Sequence, residues 1–198
     1  MKGPTNKMKG TIGDLESVIN IRNNRAKNVN LPKKKGIYKW WCKKDLIKNF
    51  LLQLDLNNKS NEIIGKMEQS GEYYCFYVGQ TKSEKGLAGR IKSQHIGKQG
   101  KANPNKGSAI GSSTLRRSIN ALKNGGRSFD EDYVDNILNN CLVEWKALEE
   151  DEINEEEKKQ INSNLRLFNL DDLDNANKGK GFIKLREEII SNLKTKRK

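Results

Sequence analysis

A single histidine, His95, serves the whole of this 198-residue chain. Any mechanism that needs two imidazoles in one subunit is thereby excluded, including the H-E-x-x-H metalloproteases and two-histidine metal nucleases. Cysteine is nearly as scarce. Cys42, Cys75 and Cys141 are widely spaced, odd in number and without a C-x-x-C pair, which suits reduced core thiols in a cytosolic protein better than disulfides or a zinc site. No apolar run approaches the length of a membrane span, and Met1 to Gly10 lacks the apolar stretch of a secretory signal. The expectation is a cytoplasmic protein with no membrane partner. Those first ten residues, small and basic, are expected to be disordered.

Positive charge, by contrast, is in excess. Thirty-eight Lys+Arg stand against 25 Asp+Glu, a net +13 at pH 7, and the apolar fraction is only 34% with a mean hydropathy of −0.88. Such a surplus concentrates polyanions at the surface and lets phosphates displace their counterions, so nucleic acid leads as partner, ahead of acidic lipid. The length suits one domain, 1–198, with a proper hydrophobic core.

Two short runs organise the chain. Gly36-Ile37-Tyr38 is followed by Trp40 and Trp41, and Tyr77-Val78-Gly79 is preceded by Tyr73, Tyr74 and Phe76. Aromatic and β-branched residues at this density favour strands, and a strand glycine often marks a close approach of backbone or ligand. Paired, the two strands would bring two phenols together. Residues 39–72 form an insertion between them, too long for a tight hairpin, in which Leu46, Phe50, Leu51 and Leu54 have helical spacing. Leu142 to Ala147 alternates with period two, a third strand with Val143, Trp145 and Ala147 on one face.

The helical segments carry most of the charge. Asp14 to Arg25 reads as a short amphipathic helix through Leu15, Val18, Ile19 and Arg22. A helix beginning near Lys85 sets Leu87, Ile91 and His95 four apart on one stripe, with Arg90 at its edge, where a cation either reaches into a cleft or stays solvated. Gly97 to Gly111 reads as an exposed, mobile, basic loop whose Lys98, Lys101 and Lys106 can meet phosphates. Ser112-Ser113-Thr114 supplies N-cap candidates for a helix burying Leu115, Ile119 and Leu122, with Arg116, Arg117 and Lys123 as a basic face for a DNA backbone. A short helix around Asp132 to Leu138 follows, and residues 194–198 form a basic tail.

Glu149 to Glu157 contains seven acidic residues in nine positions. One differs from the rest by position: Ile153, Glu157, Ile161 and Leu165 are successive four-residue steps, so Glu157 shares the apolar face while Glu155 and Glu156 point elsewhere. A carboxylate on that side needs a partner, and a metal ion, Arg90 or Lys39 could supply it.

Taken together, these features resemble the GIY-YIG endonuclease family over Gly36 to Asn169. Gly36-Ile37-Tyr38 matches its first motif outright, and Tyr77-Val78-Gly79-Gln80-Thr81 its second with Val for Ile. Gly89-Arg90-Ile91-Lys92-Ser93-Gln94-His95 resembles the family's arginine helix, and Glu157 with Phe168-Asn169 its glutamate-to-asparagine stretch. The insertion replaces a short hairpin, and the proline usual before the asparagine is absent. The resemblance implies an α/β fold, a small and mostly antiparallel sheet flanked by helices. It further implies a metal-dependent DNA endonuclease, plausibly of restriction or mobile-element type. Mg²⁺, replaceable by Mn²⁺, would be held by Glu157. Tyr38 would be the general base and Tyr77 would orient it, with Arg90 on the phosphate, Gly36 and Gly79 as structural glycines, and Asn169 completing the site. A phenol near its ordinary pKa of about 10 needs nearby positive charge to act as a base, for which Lys39, His95 and the metal are the sources on offer. Lys39 is also a candidate DNA contact. His95 shares the proton transfer or packs structurally. Cutting both strands would need a homodimer or two encounters.

Two other readings stand beside this one. Val143-Glu144-Trp145-Lys146 has the form of the PD-(D/E)xK nucleases, with Glu144 and Lys146 as reactive groups and Asp132 or Asp135 as an upstream ligand. A non-catalytic basic nucleic-acid-binding protein would explain the charge but not the ordered Tyr, Tyr, Arg, Glu and Asn.

Overall fold

The aromatic run from Gly36 forms the middle of the sheet because nearly every residue in it has something to bury. In a computed structural model, which describes residues 15–22, 31–96, 113–124, 129–169 and 180–196, β2 (Gly36–Lys43) is flanked by β4 (Tyr73–Thr81) and β5 (Leu142–Ala147). Two-residue strands β1 (Glu16–Ser17) and β3 (Gln69–Ser70) close the edges in the order β1-β5-β2-β4-β3, and every strand pair is antiparallel. This is the α/β architecture expected. Residues 1–10, the 97–111 loop with Lys98, Lys101 and Lys106, and the last two residues of the basic tail lie outside the described residues.

Side-chain alternation along β2 sorts the two faces. Tyr38, Trp40 and Cys42 enter the main core with Phe76, Tyr77 and Val143, whereas Trp41 packs with Cys75, Val78 and Ile161 on the other side. Trp40 pairs with Tyr77 but Trp41 with Cys75, so Phe76 is the extra residue of a β-bulge, and it points into the same core as Tyr77. The three thiols are free and buried, as their spacing suggested, and burial pushes Cys75 up to about 11.

Helices α1 (Val18–Arg22), α2 (Lys44–Gln53), α3 (Ser60–Gly65), α5 (Thr114–Asn124), α6 (Glu131–Asn139) and α8 (Lys180–Lys196) all feed the main core. Between β4 and α5, the short α4 (Gly86–Ala88) runs directly into a π-helix, Gly89–Ile96. Helix α7 (Ile153–Ser163) covers the opposite face through Ile161. The insertion is part of the body: Ile47, Phe50, Leu51, Leu54 and Ile63 are fully buried, while Leu46 is only partly so. No helix among the described residues is long and apolar enough to cross a membrane.

One element differs from expectation. Of the helix foreseen over Asp14 to Arg25, the described residues show Val18–Arg22, and it starts late because Glu16 and Ser17 pair with Val143 and Leu142 instead. Val18 and Ile21 are buried, and Ile19, expected inward, is 45% exposed.

Candidate active site

Gly79 determines where Tyr38 lies. The two are register partners across β2 and β4, and a Cβ built on Gly79 would stand 2.4 Å from the Tyr38 hydroxyl oxygen. Only a residue without a side chain lets the phenol lie across β4. The close approach that the strand glycine signalled is therefore made by the other motif's tyrosine. Gly36 has a different reason: its φ of +155° is unusual for an L-residue, and a Cβ there would meet the Lys146 carbonyl oxygen at 2.1 Å.

The Tyr38 hydroxyl is the hub. Arg90 Nε donates to it at 3.0 Å, and Nε2 of His95 lies 2.9 Å from it. Ring centroids of Tyr38 and Tyr77 are 6.4 Å apart. The His95 ring sits against Tyr38, Trp40 and Tyr77, and its Nδ1 is 3.0 Å from the Ser113 hydroxyl. Arg90 is half-buried and also donates to Gln94. Glu157 is half-buried on α7, and its charge is felt by both tyrosines.

Burial raises the pKa of Tyr38, an effect that Arg90 opposes and Glu157 adds to. Tyr77 is pushed up further, by burial and then by Tyr38. Burial, together with Arg90 and Arg116, holds His95 well below the ordinary histidine value, so the ring is neutral at neutral pH. Of the three sources of positive charge foreseen beside Tyr38, His95 is therefore not one. Nor is Lys39, whose ammonium pairs with Glu68 at 2.9 Å and lies over Trp41, on the other face of the sheet. The cation on the phenol is Arg90.

Asn169 is spent on the backbone. Its Oδ1 accepts from the Val78 N–H at 2.9 Å and its Nδ2 donates to the Val78 carbonyl at 2.7 Å. With Leu167 and Phe168 donating to the Phe76 carbonyl, this segment serves as a partner along β4 and fixes the strand on both sides of Tyr77. Asn169 thus ties its own segment to β4 next to Tyr77.

Three further expectations are corrected. Arg116, assigned to a DNA-facing surface, is fully buried: its Nη1 donates to the His95 carbonyl at 2.7 Å and to Asp135 at 2.8 Å. Arg117 and Lys123 are exposed as foreseen, and Lys123 pairs with Asp130. Glu156 does not point away but faces the sheet, accepting from Gln160 and lying 4.0 Å from Lys146. The PD-(D/E)xK arrangement is not assembled. Glu144 accepts from Trp41 Nε1 on the face opposite Tyr38, Asp135 is held by Arg22 and Arg116, and Asp132 is exposed.

Several partners gave little or no local signal. Ser113 reads only as a helix cap, and it is one, accepting from the Arg116 N–H at 3.2 Å. Arg166, fully buried, pairs with Glu68 of the insertion and donates to the Gln160 carbonyl of α7. A cation inside the apolar run Leu165 to Phe168 was the one clue to that pairing.

Against known families, the model of the GIY-YIG catalytic domain matches residues 36–196. The chain belongs to the GIY-YIG family. Searches of curated proteins and of solved structures found no match. GIY-YIG domains are endonuclease domains acting on DNA and generally depend on a divalent metal, and the matched span takes in the tyrosine pair, Arg90, His95, Glu157 and Asn169. Among the described residues no three His, Cys, Asp or Glu side chains gather to enclose a metal. A single carboxylate beside two phenols suits an ion that keeps water ligands and takes phosphate oxygens, as Mg²⁺ does.

Proposed function

We propose that this chain is a metal-dependent endonuclease that hydrolyses DNA phosphodiester bonds, of restriction or mobile-element type, with Tyr38 as general base. The observation that carries this reading is the convergence of Arg90 Nε and His95 Nε2 on one buried phenol. Arginine cannot accept a proton, so it orients and polarises the hydroxyl, while the neutral imidazole is the group able to take the proton. Arg90 has five N–H groups and spends part of them on Tyr38 and Gln94, leaving donors for a phosphate oxygen.

In the forward step the attacking water gives a proton to Tyr38 as Tyr38 gives its own to His95, and the new P–O bond forms as the bond to the leaving oxygen breaks. That oxygen takes a proton from solvent water, and His95 returns its proton through Tyr38 to solvent when the product leaves. Tyr77 holds the phenol in place. Mg²⁺ or Mn²⁺, held by Glu157, would supply Lewis-acid stabilisation of the phosphate charge. DNA recognition is assigned to the nuclease domain's own basic surface. A cytoplasmic location and, for double-strand cutting, action of two copies complete the reading.

The test is incubation with plasmid DNA with and without Mg²⁺ or Mn²⁺, followed by sequencing of the ends. Metal-dependent cuts at a recurrent sequence support the restriction or mobile-element role. Retention of DNA binding without cleavage under any of these conditions would favour the basic binding protein instead.

A further inference from the structure

A proton relay through His95 works only if the nitrogen facing Tyr38 is bare, and the surroundings of the ring fix which nitrogen that is. We infer that Ser113 is a positioning residue that holds the His95 proton on Nδ1, so that the unprotonated Nε2 accepts the Tyr38 hydroxyl hydrogen. The inference rests on the nuclease reading only for its purpose; the tautomer itself is a property of the folded chain.

On one side of the ring, Tyr38 Oη receives the Arg90 Nε–H at 3.0 Å. Arginine cannot take the Tyr38 hydrogen, whereas Nε2 at 2.9 Å is placed to do so. Were Nε2 protonated, both side chains hydrogen-bonded to Tyr38 Oη would be donors, and neither would accept the phenol hydrogen. On the other side, Ser113 Oγ stands 3.0 Å from Nδ1 and already accepts the Arg116 N–H at 3.2 Å. A hydroxyl oxygen has two lone pairs, so it can accept from Nδ1–H as well.

Arg116 makes this arrangement rigid. Its backbone N–H holds the Ser113 oxygen, and its buried guanidinium holds the His95 carbonyl at 2.7 Å while paired to Asp135 at 2.8 Å. Both ends of the Ser113 to His95 contact are thereby tied to one residue. Among the described residues the charged and titratable groups around the ring are Arg90, Arg116, Tyr38 and Tyr77, and burial between the two arginines keeps the imidazole neutral. A neutral ring with its proton on the serine side is one half of the relay; the phenol is the other.

Because His95 is the sole histidine, its ring supplies the only imidazole signals of the chain. Long-range ¹⁵N–¹H correlation spectra of the uniformly labelled protein at neutral pH distinguish the two nitrogens, since Nε2 couples to both ring carbon-bound hydrogens. The expected wild-type spectrum has Nε2 pyridine-like and Nδ1 protonated, and it is expected whether or not the protein cuts DNA. Ser113→Thr, which keeps the hydroxyl, should preserve that spectrum, and Ser113→Ala should move both shifts toward a mixture of tautomers. In cleavage assays Ser113→Ala should lower kcat by roughly 10- to 100-fold, the scale typical of partners that orient an imidazole, with KM for DNA unchanged. Wild-type protein with the proton on Nε2, or a folded Ser113→Ala with an unaltered spectrum, overturns the assignment. If Ser113→Ala does not fold, the wild-type spectrum alone decides. Absence of cleavage by wild type, with the Nδ1–H tautomer present, overturns the nuclease reading and leaves the tautomer assignment standing.

Discussion

Arg90 and His95 stand five residues apart on one helix, yet both reach the same oxygen, Tyr38 Oη. An α-helix would bring residues four apart together; here the segment Gly89–Ile96 is a π-helix, whose i to i+5 repeat returns His95 to the face of Arg90. Arg90 meets Gln94, its i+4 neighbour, at its outer edge. With the phenol held between a cation and a neutral imidazole, Tyr38→Phe should leave folding and DNA affinity intact and lower turnover by roughly 10² to 10⁴, the usual range for a general base. Tyr77→Phe should lose less. Circular dichroism and a binding isotherm beside the cleavage rate check both, and a pair of folded phenylalanine variants cutting at the wild-type rate would remove Tyr38 from the mechanism.

Glu157 and Glu144 make opposite predictions because the charge of Glu157, and not that of Glu144, acts on both Tyr38 and Tyr77. Glu157→Gln should reduce cleavage by at least about 10³, since charge stabilisation by a bound metal is typically worth several kcal/mol, and DNA binding should survive. Glu144→Ala removes a bond to Trp41 Nε1 on the far face and should leave cleavage nearly unchanged. The reverse pattern in folded proteins would return the PD-(D/E)xK reading to consideration.

What could be read in the sequence was what local periodicity encodes. The alternation over Leu142 to Ala147 marked β5 residue for residue, and the two glycine-tyrosine runs marked β2 and most of β4, because strand side chains alternate whatever their partners. Long-range pairing was not legible. Arg116 was read as surface because it neighbours Arg117, although its spacing of three from Ile119 puts it beside the buried stripe; its partners, His95 O and Asp135, lie 21 and 19 residues away. Glu68, Lys39 and Arg166 form a charged cluster from three separate segments, and no single window of sequence contains it. Ser113 carried a helix-cap signal that concealed its second partner, His95.

These corrections change where DNA is expected to bind. Arg116→Ala should leave Asp135 with a buried, weakened pairing and destabilise the fold by about 3–5 kcal/mol, as loss of one partner from a buried ion pair does. A large fall in melting temperature without an altered salt dependence of DNA binding is the expected result. The exposed lysines Lys33, Lys34, Lys82 and Lys85 are different. The Lys33-Lys34 turn abuts Gly86, where a Cβ would lie 2.5 Å from the Lys33 carbonyl carbon, and Leu87 N–H donates to the Lys34 carbonyl at 2.8 Å. They thus flank the start of the helix that carries Arg90. Replacing them together with Gln should lower the slope of log K against log salt by about 0.9 for each phosphate no longer neutralised, with little change in melting temperature. An unchanged slope would place the DNA on another surface, such as that around Arg117.

His95 leaves a signature in the pH dependence of stability. In the unfolded chain it takes up a proton near its ordinary value of about 6.5, whereas in the folded chain burial, Arg90 and Arg116 hold its pKa well below that. Below about pH 6.5 the unfolded state therefore binds more protons, and stability falls as the pH falls, by at most about 1.4 kcal/mol per pH unit for a single group. Glu144 acts in the opposite sense: burial raises its folded pKa, so the folded state takes up its proton first and stability gains slightly as the pH drops through that range. The two are separated by comparison with His95→Gln, which retains hydrogen-bonding capacity but does not titrate. Denaturant unfolding of both proteins between about pH 7 and pH 5, above the range where ordinary carboxylates protonate, should show a declining stability for wild type and a flat or slightly rising one for the variant. Parallel curves for the two would mean that His95 takes up its proton equally in the folded and unfolded chains, and that the imidazole beside Tyr38 is not held neutral.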